Sequence, residues 1–154
     1  MPYYIGLAAW AFAAGALIPV MGSLNAGLAK SLGGAPLAAV VLFAVAFAAS
    51  VLTLVASGQS LPDAPAFTGA PRHFYLGGFI VAFYVLSVTI LIPKFGVGNT
   101  ILFAMTAQII LSAVMDQVGL FGAPVRPVNA LRLLGIALML CGLCLTQLSQ
   151  TRGT

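Results

Sequence analysis

From residue 4 to residue 28 the chain carries no charged side chain, and this apolar run is long enough to cross a bilayer core of about 30 Å as a helix. Four further apolar stretches of spanning length follow, at residues 36–57, 73–92, 99–121 and 128–148. Between them stand the residues that interrupt helices. Lys30 and Gly33-Gly34 close the first span, and Pro36 opens the second where a missing N–H costs little. Residues 58–72, with Pro62, Asp63, Pro65, Gly69 and Pro71, read as an extended surface crossing. Pro93, Lys94, Gly96 and Gly98 predict a tight turn, and Gly122, Pro124, Arg126 and Pro127 separate the fourth span from the fifth. The fold class expected is all-α and integral to a membrane, one transmembrane domain over residues 1–154. The first span has no basic segment before it and is long for a signal peptide, so it is read as a retained helix.

Charge excludes the soluble alternatives. Charged residues make up 5% of the chain, against about 25% in a typical soluble domain. Six scattered Lys/Arg cannot supply a nucleic-acid footprint. Cys141 and Cys144 form a C-x-x-C spacing inside an apolar helix, a setting for packing rather than redox chemistry. His73 is the single histidine, so neither a metal centre nor a nucleophile–base–orienter set is expected, and no cofactor or enzyme activity with them.

An odd number of crossings puts the termini on opposite sides, which makes the basic residues informative. The N-terminal side receives Arg72, Arg126 and Arg132, and the opposite side receives Lys30, Lys94 and Arg152: three against three. The bias that normally sets orientation is absent, so the chain is expected to insert both ways and to pair with itself as an antiparallel homodimer of ten helices. The alternative is one orientation, set by a weak residual bias or by a partner chain.

Polar residues inside spans need a partner or a wet cavity, because hydrocarbon offers none. A rise of about 1.5 Å per residue puts Tyr84, Ser87, Thr106 and Gln108 near the midplane. Gln108, Ser112 and Asp116 follow at i, i+4 and i+8, one polar stripe within an arc of roughly 80°. Asp116 is the acidic residue inside a span. It is read either as a structural ion pair with Arg126 or Arg132 or as a coupling group. Pro19 removes the hydrogen bond to the carbonyl of Gly15 and is expected to kink the first helix. Asn25 reads equally as a cap or as a cavity residue, and Trp10 as a cavity wall. Gly135, Gly142 and Ser149 recur at seven-residue spacing, a small-residue seam suited to a dimer contact.

Several segments carry a family likeness. The run Leu91-Ile92-Pro93-Lys94-Phe95-Gly96-Val97, then Thr106-Ala107-Gln108 and Met115-Asp116, then Leu131-Arg132-Leu133-Leu134-Gly135 and Cys141-Gly142, resembles the drug/metabolite transporter superfamily, and more narrowly its short YdcZ-type branch of about five helices. Ser23-Leu24-Asn25-Ala26-Gly27-Leu28 is similar to that branch as well. The resemblance implies a secondary transporter built of two five-helix halves in opposite orientations. It also implies that Asp116 corresponds to the acidic position closing the fourth helix, and that Gln108 and Asn25 correspond to polar positions of the branch. An acidic residue in the first helix, present in small multidrug exporters, is missing here. The expected activity is alternating-access transport of a small organic solute across an inner membrane. The partners expected are the bilayer, the solute, a second copy of the chain and protons as a coupling ion. A passive channel and a non-transporting assembly protein are the rival readings.

Overall fold

The computed structural model describes residues 2–61, 69–122 and 124–151. Pro62, Asp63, Pro65 and Arg152 lie outside the described residues. Among those described, five helices are long and apolar enough to cross a membrane, and the rest is turn or short 3-10 helix. They are α1 (Pro2–Leu32), α2 (Ala35–Ala56), α3 (Gly77–Phe95), α4 (Val97–Val118) and α5 (Ala130–Thr151).

Helix ends follow glycine more closely than proline. α1 continues past Leu28 because no breaker stands before Gly33, whose φ of 84° closes it, with Lys30 complementing the helix dipole in the last turn. Pro36 sits in the first turn of α2 as expected. The turn expected over residues 93–98 is much shorter: Pro93 and Lys94 belong to α3, and Gly96 alone breaks the chain at φ 84°. Proline in a last turn forfeits one hydrogen bond without forcing the helix to stop, whereas a left-handed residue forces it. α4 likewise ends at Val118 rather than Phe121, because Gly119 turns left-handed at φ 69° and caps Met115 O from its N–H at 2.8 Å. A 3-10 turn over Arg72–Leu76 precedes α3, where the sequence suggests α-helix from His73. α1 runs as a single α-helix through Gly15 and Pro19.

The chain divides into two compact units, Met1–Val97 and Gly98–Thr154. In the first, α1, α2 and α3 pack against one another. Their contacts are built from small side chains. Ala38 and Ala39 of α2 are buried, as are Gly22 and Ala26 of α1, and Ala26 meets Val88 and Ile92 of α3, with Tyr84 and Val97 closing over that cluster. Apolar side chains gain nothing by leaving lipid, so close backbone approach and interhelical hydrogen bonds hold such helices together. The second unit is held by polar links: Gln147 Nε2 donates to Asn99 Oδ1 at 2.8 Å, Arg132 Nη2 to Asp116 Oδ2 at 2.7 Å, and Val128 N to Gln117 Oε1 at 2.6 Å. α5 buries none of its apolar window, leaving Gly135, Gly142 and Ser149 exposed.

Candidate functional site

In the first unit the polar centre is a buried pair. Asn25 stands two turns inside α1, so it caps nothing, and its Nδ2 donates to Thr89 Oγ1 of α3 at 2.6 Å. Thr89 in turn donates its hydroxyl hydrogen to Val85 O one turn earlier, at 2.7 Å. A hydroxyl has a single hydrogen, and with it directed to Val85 O, Thr89 accepts from the Asn25 amide nitrogen. Asn25 Oδ1 is thereby turned away from Thr89 and has no hydrogen-bond partner. A buried acceptor left in that condition costs about 1–3 kcal/mol.

Two cavities flank the pair. A groove of about 410 Å³ runs between α1 and α2, lined by Asn25 and by apolar residues that include Leu17, Met21, Leu24, Val41 and Val45. A second hollow of about 440 Å³ lies at the α1–α2 turn, with Thr89, Lys30, Pro93 and Lys94 in its wall. The other expected residues of this unit stand apart from the pair. Tyr84 and Ser87 are partly buried on α3, and their hydroxyls make no hydrogen bond among the described residues. Tyr84 leans on the Ala26–Val88–Ile92 cluster. Trp10 is 77% exposed and lines neither of these two cavities.

In the second unit the stripe of α4 separates into satisfied and unsatisfied members. Thr106 donates to Leu102 O at 2.8 Å and Ser112 to Ile109 O at 2.8 Å, so both hydroxyl hydrogens are spent within the helix. Gln108, at the middle of α4, is exposed and has no hydrogen-bond partner among the described residues. Its amide offers two donors and an acceptor at a depth where lipid can match none of them. At the end of the stripe Asp116 is paired to Arg132, with side chains 30% and 33% exposed. The backbone reinforces this clasp, since Arg126 N donates to Asp116 O at 2.8 Å. Between the polar links at either end of α4 and α5 lies an apolar groove of about 510 Å³, with Ile110, Ala113, Leu133 and Ile136 among its walls.

Sequence reasoning passed over Thr89, Asn99, Gln117 and Gln147. Thr89 is an ordinary β-branched residue in an apolar run. The others lie close to helix ends, where polar residues need no explanation. A search for polar residues about two turns from a helix end would have raised Thr89.

Comparison with known proteins gives one result that covers nearly the whole chain. The model of the family described as "Putative inner membrane exporter, YdcZ" matches residues 6–145 of the 154. No curated protein and no solved structure matches.

Proposed function

Since the chain belongs to the YdcZ family, described as inner-membrane exporters, and is thus an integral inner-membrane protein of a transporter family, we propose that it works by alternating access as an antiparallel homodimer. The observation that carries this reading is the balance of basic residues around five crossings, three on each side. With no bias to select an orientation, the same chain supplies both halves of a two-fold body, the symmetry that inverted repeats give to larger transporters.

The solute is a small organic molecule, uncharged, zwitterionic or weakly cationic, because the mid-span lining is polar but sparse. Gln108 is its principal contact, being the mid-span amide with no partner among the described residues. Tyr84, Ser87 and Thr106 are further polar groups at similar depth. In such a dimer the Asp116–Arg132 clasp of one copy stands near one membrane face and that of the other copy near the opposite face. Opening and closing each clasp in turn would gate access, with Asp116 the group available for proton coupling. The α5 seam of Gly135, Gly142 and Ser149 is the proposed contact between copies.

The test is orientation in native membranes. A Gln59→Cys variant in a Cys141→Ala/Cys144→Ala background is exposed to a membrane-impermeant thiol reagent added outside, then on both sides. Labelling of about half the molecules from each side supports the antiparallel homodimer. Labelling entirely from one side overturns it. Saturable counter-flow by the lone protein in liposomes separates transporter from channel, because a channel gives none.

A further inference from the structure

Asn25 is the polar residue in the lining of the α1–α2 groove, and its side-chain oxygen is without a hydrogen-bond partner. In the hydrogen-bond order Asn25 Nδ2 to Thr89 Oγ1 to Val85 O the amide oxygen is the free atom, an acceptor and not a donor. We propose that this groove is a solute subsite for a molecule with an apolar body and one neutral hydrogen-bond donor, recognised by Asn25 Oδ1. The proposal deepens the transporter reading above and rests on it.

The chemistry of the lining selects this class. A lipid acyl chain would fill the groove but has no donor for the oxygen. A carboxylate or phosphate head would bring an acceptor against an acceptor. An ammonium head would find no carboxylate among the lining residues to neutralise it. A primary amide or hydroxyl on an aliphatic body meets both demands within about 410 Å³. Oδ1 itself exposes under 1 Å², so the donor engages it as the groove widens, a movement that alternating access requires of any site opened to each side in turn. The unsatisfied oxygen favours the widened, occupied state over the closed, empty one.

Binding is read by photolabelling of the purified full-length chain, in detergent and in nanodiscs, with an aliphatic diazirine bearing a primary amide. Its N,N-dimethylamide, which has no N–H, is the control. Mass spectrometry is expected to find label on residues 17–28 and 41–45, with a preference of about tenfold for the primary amide. Asn25→Leu should erase the preference. Thr89→Val removes the same α1–α3 hydrogen bond but keeps Oδ1, and should retain it. Met21→Trp fills the groove without altering either partner of that bond, and should block both probes. Equal labelling of the unmodified protein by the two probes would overturn the proposal, marking the groove as a seat for acyl chains. So would loss of the preference in Thr89→Val as complete as in Asn25→Leu, which would make Asn25 a packing link alone. Flux distinguishes the two levels of the argument. Selective labelling without counter-flow in liposomes overturns the transporter reading and leaves the subsite standing. Counter-flow with unselective labelling overturns the subsite alone.

Discussion

Among the described glycines Gly22 is the one packed tightly against a neighbouring helix, and its substitution offers a graded test of that packing. A Cβ at this position would lie 2.7 Å from Ile92 Cδ1 and 3.0 Å from Val88 Cγ1. The two neighbours differ in what they can yield. Ile92 Cδ1 is the far end of a side chain and can swing aside for about 0.5–1.5 kcal/mol. Val88 Cγ1 is attached at a branched Cβ with one strongly preferred rotamer in a helix. Alanine also recovers roughly 0.8–1.0 kcal/mol of helix propensity relative to glycine. For Gly22→Ala these terms nearly cancel, and the net change should stay within about 1 kcal/mol. Gly22→Leu has no such offset: it drives three more carbons into the Ala26–Val88–Ile92 cluster, and overpacking of that kind costs about 1–3 kcal/mol. In thermal unfolding of the detergent-purified chain, followed by loss of the monodisperse species, the leucine variant should melt roughly 3–10 °C lower. Gly15→Leu is the control, because a Cβ there meets nothing within 4 Å. Trimming the neighbour with Ile92→Ala should return part of the loss in a Gly22→Leu background. Equal melting temperatures for Gly22→Leu and Gly15→Leu would refute the close α1–α3 packing.

Three further outcomes are expected. Gln108→Leu should leave the melting temperature almost unchanged, since it removes no hydrogen bond among the described residues, while solute flux falls about tenfold or more; unchanged flux would remove Gln108 from the transport path. A double-mutant cycle with Asp116→Asn and Arg132→Gln should give a coupling energy of about 0.2–1 kcal/mol, because both side chains are about a third exposed; strictly additive effects would mean that the clasp does not form in the membrane. Gly142→Leu should preserve the stability of a single chain, where a Cβ meets nothing within 4 Å, yet weaken self-association about tenfold or more by light scattering in detergent. Undiminished association would exclude the α5 seam as the contact between copies.

The fold was largely legible in the residues. All five spans are present, and their ends differ from the sequence reading by a few residues at the places where glycine rather than proline decides termination. The sites were less legible. Asn25 stood out as a polar residue on a small-faced helix, but its partner lies 64 residues away in an apolar stretch. Thr89 looks like any other β-branched helical residue until α1 and α3 are brought together. Asp116 and Arg132 were more accessible to reasoning, because a lone carboxylate inside a span among few cations has few possible partners. Gln147 and Asn99 lie near opposite ends of the second unit's sequence, and nothing local to either announces the other.

Hydropathy is a sum of single-residue transfer energies, and so the chain's sequence by itself determined that it belongs in a bilayer and how many times it can cross. Only the tertiary structure decided which polar groups are satisfied and which are left wanting, that Gly22 is a packed contact while Gly15 and Gly142 are open, and that Asn25 lines an apolar groove with its side-chain oxygen buried and unpartnered. Lipid treats every apolar face of a helix alike. The choice among faces is made by the rotation and separation of neighbouring helices, quantities that depend on residues far apart in the chain.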